Sequence, residues 1–170
     1  MLEIDELYGG KLVAALDRQH PRDLFDVDAM FEKFGLPARF IDCFVVYLAG
    51  HSRPVHEVLT SRAKPLDAVF GAEFAGMTST EVSVERLREV HAQLKARLLA
   101  GLSARHRDFL LSLVRAAPQW ELMPFEHLAD LPAIRWKLRN LAELRRGDRA
   151  RFEAQETLLA GFFDGHPAAG

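Results

Sequence analysis

The stretch Asp5-Glu6-Leu7-Tyr8-Gly9-Gly10-Lys11-Leu12-Val13-Ala14-Ala15-Leu16-Asp17-Arg18-Gln19-His20-Pro21-Arg22-Asp23-Leu24-Phe25-Asp26-Val27-Asp28 sets the architecture. Ile4, Leu7, Tyr8, Leu12 and Ala15 follow the i, i+3, i+4 spacing of a helical apolar stripe. Lys11 falls on that same stripe, four residues from both Leu7 and Ala15. A lysine there must snorkel outward or keep its charge beside an anion, because burying an unpaired ammonium is costly. Pro21 suits the first position of a second helix, and Asp23 and Asp26 lie about one turn apart on it. Two helices joined by a tight turn would therefore bring Lys11 towards Asp23 and Asp26. The spacing supports two readings. One is an ion pair that fixes the angle of a helical hairpin, with Asp23 also favoured by the helix dipole. The other is half of a phosphate-handling site, with Lys11 holding a phosphate and a carboxylate assisting. Spacing alone leaves both open.

The run Glu6–Arg18, followed by Pro21-Arg22-Asp23-Leu24-Phe25-Asp26, resembles the later part of the AbiEii/AbiGii-type nucleotidyltransferase toxins. The segment Leu131-Pro132-Ala133-Ile134-Arg135-Trp136-Lys137-Leu138-Arg139-Asn140-Leu141 is similar to the end of many members. The resemblance implies active-site roles for Lys11 and Asp26, with Asp23 as an alternative to Asp26. It implies nucleotide binding by Lys11, Arg22 and Asp23, with Arg22 pairing to Asp26 or reaching a phosphate. It further implies transfer of a nucleoside monophosphate from an NTP, with Mg²⁺, onto an RNA such as tRNA or onto a protein, and a cognate antitoxin as partner. The family's metal site, a Gly-Ser segment followed by an Asp-x-Asp pair on an upstream mixed sheet, has no counterpart in the chain. Asp26-Val27-Asp28 has the same letters but falls in a predicted helix, so no metal ligand is assigned. The expectation is the C-terminal helical portion of such an enzyme, truncated and weakly active or inactive alone. The alternative is a non-catalytic helical module that binds a partner or self-associates through the face left by a missing lobe.

Composition fits an ordinary globular protein: 170 residues, 49% hydrophobic and 27% charged. A formal net charge of −2 argues against a globally basic nucleic-acid binder while leaving room for a basic face. Cys43 is the only cysteine, so neither an internal disulfide nor a cysteine-based zinc site can form. No signal peptide and no apolar run of the ~18 residues needed to span a bilayer is present, and the expected location is the cytoplasm.

The predicted fold is all-α, about seven or eight helices in two packed lobes, 1–78 and 79–170. Gly35 stops the second helix, and Phe40–Leu48 reads as a third, buried against the first two. His51, Arg53 and His56 cluster after a break, either as an exposed loop or as a polar rim near Lys11 that touches phosphate or RNA. Residues 55–75 form short helical pieces with Phe70 and Phe74 as core anchors, and Gly76–Thr80 is the hinge. Ser83 caps a long amphipathic helix ending at Gly101, and Ser103 caps another whose first turn carries Arg105, His106, Arg107 and Asp108. That cluster reads as an exposed turn or a site for an acidic partner. A last helix from Pro132, with Ile134, Leu138, Leu141 and, as a further candidate, Trp136 inward, carries Arg135, Lys137, Arg139, Arg145 and Arg146, either ordinary surface charge or a basic face suited to an RNA backbone, and extends through residues 153–163.

Overall fold

The computed structural model describes residues 2–74, 76 and 82–168. Among them there is no strand, and the architecture is all-α. The order is α1 (Leu2–Asp17), α2 (Pro21–Phe34), α3 (Ala38–Ala49), α4 (Val55–Leu59), α5 (Asp67–Val69), α6 (Val84–Gly101), α7 (Ala104–Val114), α8 (Pro132–Gly147) and α9 (Arg149–Asp164). A π-helical turn, Phe70–Phe74, continues α5, and 3₁₀ turns occupy Trp120–Leu122 and Leu128–Asp130.

The helix ends follow from local chemistry. Pro21 occupies the first turn of α2, where its missing N–H is not needed. Gly35 ends α2 at φ 69°, a left-handed value that glycine adopts without a Cβ penalty, and donates to the Phe31 carbonyl. The Ser83 hydroxyl accepts from the Arg86 N–H at 3.1 Å, the plain cap expected for α6. Ser103 and His106 instead form a reciprocal capping box on α7.

α1 lies at the centre of the N-terminal packing, against α2, α3, α4 and α6. Its approach to α3 is close because Gly9 has no side chain: a Cβ there would sit 2.7 Å from Cys43 Cβ. α7 packs on α3, and α9 is held by α4, α7 and α8. The buried side chains form one cluster that joins Leu12, Leu16 and Phe44 to Leu94, Leu98, Phe109 and Leu159. At about 1.5–3 kcal/mol for each large side chain removed from water, this core is the principal stabilising term. It draws on both sides of residue 78, while the hinge itself, apart from Gly76, lies outside the described residues.

Two expectations for the last helix need correction. Helix α8 stops at Gly147, and Asp148 caps a separate α9 by accepting from the Arg151 N–H at 3.0 Å. Trp136, a candidate core residue, is 51% exposed because the inward stripe of α8 runs through Ile134, Lys137 and Leu141.

Candidate functional site

The hairpin of α1 and α2 brings Lys11 and Asp26 together as an ion pair between residues fifteen apart in the chain. Their side chains keep 30% and 34% of their exposure, so the pair between the middle of α1 and the body of α2 is open to solvent on one side. Asp23 does not join it. Its Oδ1 accepts from Arg18 at 3.1 Å, and its buried Oδ2 has no hydrogen-bond partner among the described residues. The Arg22 side chain is exposed, and its backbone N–H donates to the His20 ring, which caps α2. Arg18, Arg22 and Lys64 line a cleft of about 420 Å³ at the start of α2, together with Asp23 and His20.

The two carboxylates of Asp26-Val27-Asp28 face different partners. Asp26 meets Lys11, whereas Asp28 takes a two-point contact from Arg86 on α6, at 2.9 and 2.6 Å. Positions i and i+2 of a helix do not share a face, so the pair cannot close on one ion. Among the described residues no group of three or more His, Cys, Asp or Glu is placed to hold a metal. This Asp-x-Asp pair therefore does not fit a magnesium site.

The loop after α3 is structured by charge. Arg53 pairs with Asp17 at the end of α1 and with Glu57 on α4, and His51 Nε2 lies 3.5 Å from Asp17. Burial lowers the His51 pKa, and the Asp17 carboxylate opposes that shift. These residues hold the end of α1 in place, about one and a half turns beyond Lys11.

The basic face of α8 is partly as expected. Arg135, Arg139, Arg145 and Arg146 are exposed, Arg139 pairs with Glu143 at 3.2 Å, and the Arg145 guanidinium stacks over Phe152. Lys137 departs from this set. It is 4% exposed and donates to the carbonyls of His51 and Arg53 at 3.0 and 2.6 Å, which leaves no ammonium for an RNA backbone. Burial pushes its pKa down to about 8.

The first turn of α7 also departs from expectation. His106 is buried and its Nε2 lies 2.7 Å from Asp42 Oδ1 on α3, an oxygen that also takes a hydrogen bond from Arg105. Burial lowers the His106 pKa while the Asp42 bond opposes the shift. Arg107 is buried too, donating to the carbonyls of Leu102, Leu99, Phe163 and His166. His106 and Arg107 are thus internal, Arg105 is part-exposed and Asp108 exposed, and the acid that meets Arg105 and His106 is Asp42, the one charge in the apolar run 40–48. A lone aspartate there and an unexplained cationic turn elsewhere were the two signals that could have been joined from sequence.

The family model described as "Nucleotidyl transferase AbiEii toxin, Type IV TA system" matches residues 1–140. The chain belongs to the AbiEii family. The match covers α1 to α7 and the first half of α8, and so contains the Lys11–Asp26 pair. AbiEii proteins are nucleotidyl transferase toxins of type IV toxin–antitoxin systems, which gives this chain a transferase-like role and an antitoxin as its class of partner. No curated protein and no solved structure matches the chain. No helix among the described residues is long and apolar enough to cross a membrane.

Proposed function

We propose that Lys11 and Asp26 form the nucleotide-facing part of a nucleotidyltransferase site that passes a nucleoside monophosphate from an NTP to an RNA, such as a tRNA, or to a protein. The observation that carries this reading is the accessible Lys11–Asp26 ion pair in a chain of the AbiEii family. Lys11 would stabilise the negative charge that builds on the phosphates during transfer, and Asp26 would hold the ammonium in position. Arg22, exposed one turn before Asp26, would reach a phosphate. Asp23, held by Arg18, is the alternative carboxylate. In the cleft at the start of α2, Arg18 is held by Asp23 and Lys64 by the Asp17 carbonyl, so Arg22 is the cation there that would meet a phosphate. The chain corresponds to the helical portion of such an enzyme and has weak activity or none by itself. Support for the helical-portion reading comes from the all-α architecture of the described residues together with the family match. Arg135, Arg139, Arg145 and Arg146 would follow an RNA acceptor's backbone, a contact driven by counterion release.

The test is NTP binding, with and without Mg²⁺, by the wild-type protein and by Lys11→Ala. The variant should bind at least about tenfold more weakly, roughly 1.4 kcal/mol. Equal affinity for the two proteins removes Lys11 from the role.

A further inference from the structure

α1 and α3 run side by side in the same direction. Arg39 meets Asp5 at 2.8 Å near their beginnings, Gly9 lies against Cys43, and Arg53, just past α3, pairs with Asp17 at the end of α1. The segment from Pro124 to Ile134 stands opposite. It is tied to α3 where Arg105 donates to the Leu122 carbonyl and to Asp42, and again where Ala133 meets Gly50. Between these walls lies an open groove of about 1090 Å³. Its lining is largely apolar, with Val13, Ala14, Val46, Tyr47, Leu128 and Ile134. Tyr47 is 45% exposed, its ring close over Gly10.

The charges around the groove are unequal in their satisfaction. Arg18 is held by Asp23, and Arg53 by Asp17 and Glu57. Glu6 is exposed and has no cation partner among the described residues. Glu126 is exposed as well, with only the His127 ring nearby at 3.8 Å. The uncompensated charge on the lining is thus negative. Two of the walls are helices whose backbone groups are already bonded internally, so an extended chain would find no ladder of partners there. These walls suit an occupant that satisfies its own backbone, as a helix does. From Glu6 to Arg18 the groove follows α1 for about 18 Å, or roughly three helical turns.

We infer that this groove is a docking site for a basic amphipathic helix of a partner protein, its apolar face on Val46, Tyr47 and Leu128 and its lysines or arginines at Glu6 and Glu126. Lys11 is not among the residues that line the groove, so the site is independent of the proposed nucleotide contact.

The probe is a fluorescein-labelled, hydrocarbon-stapled helix with leucines at i, i+3, i+4 and i+7 and lysines on its flanks. Its twin carries glutamate at each lysine position. Fluorescence anisotropy with the full chain should show the basic helix binding at least about tenfold tighter than the acidic twin. In the double variant Glu6→Lys/Glu126→Lys the preference should reverse. Ala14→Trp, on the half-buried edge of the groove, should lose both helices while keeping the wild-type circular dichroism spectrum. The charge variants lie on the exposed surface and decide the matter even where Ala14→Trp does not fold. Equal affinity for the two helices overturns the proposal, as does no binding of either, or a preference unchanged by the double variant. Sedimentation showing a wild-type dimer that Glu6→Lys/Glu126→Lys or Ala14→Trp turns into a monomer also overturns it, because the groove would then belong to a second copy. Lys11→Ala should leave the helix affinity unchanged, which separates a failure here from a failure of the nucleotide site.

Discussion

Replacing Lys137 with methionine should change how the stability of the protein depends on pH. The ammonium is buried at 4% exposure and spends its hydrogen bonds on the carbonyls of His51 and Arg53. Burial is the main cause that lowers its pKa from the ordinary 10.5 to about 8, with Glu57 opposing. Below pH 8 the folded and unfolded chains both carry the proton, and the folded state bears the full cost of holding that charge out of water. Between pH 8 and 10.5 the unfolded chain keeps a proton that the folded protein has released, so stability rises with pH across that window. At about 1.4 kcal/mol per pH unit, the gain from about pH 7 to about pH 10 comes to about 2.5 kcal/mol. For a chain of this size that is about 5–10 °C in Tm. Lys137→Met removes the titration. It also leaves two carbonyls without a donor, a loss that is the same at every pH and drops out of the comparison. Urea unfolding of both proteins at the two pH values, with equal m, measures the difference directly. The wild type should gain about 2.5 kcal/mol relative to the variant on going to the higher pH. Parallel profiles, within about 0.5 kcal/mol, would refute the reasoning.

Asp42→Asn should destabilise the fold by about 1–3 kcal/mol, because it weakens the buried acceptor shared by His106 and the part-exposed Arg105; a loss under about 0.5 kcal/mol in urea unfolding would show that the pairing carries little. Two glycine substitutions should move stability in opposite directions. Gly9→Ala sets a Cβ 2.8 Å from the Cys43 carbonyl carbon and should cost about 1–3 kcal/mol, whereas Gly161→Ala in α9 meets nothing within 4 Å and should gain about 0.5–1 kcal/mol, both read from urea midpoints.

Lys11 shows what sequence can give and where it stops. A lysine on an apolar stripe demands an anion, and the proline-started helix behind it supplied two, of which the structure uses Asp26. The choice between Asp23 and Asp26 depends on the crossing of two helices, which local periodicity does not encode. Lys137 stood at the same kind of position, three residues from Ile134 on the inward stripe of α8, and the same argument would have sent it inside. Its acceptors are loop carbonyls more than eighty residues away, and no residue type announces a free carbonyl. Asp42 and the α7 turn were missed for a related reason: each half was visible, but their union needs the packing of α3 on α7. Helix caps were easier, since Ser83 and Gly35 act within three or four residues of themselves. The break at Asp148 has a local signal too, a glycine followed by a capping aspartate, set within a run of basic residues that reads as one helix face.

The buried guanidinium of Arg107 gives α9 a meaning beyond that of a trailing helix. Arg107 lies inside the stretch matched by the family, yet two of its carbonyl acceptors, on Phe163 and His166, come from the far end of the chain, and the Phe163 ring stacks beneath it at 5.1 Å. Cutting the chain after Gly147 would take away two of the four carbonyl acceptors of Arg107 and lift α9 off α7. The terminal helix thus works as a keystone, and any tag or fused partner placed at this end must leave its last turn seated.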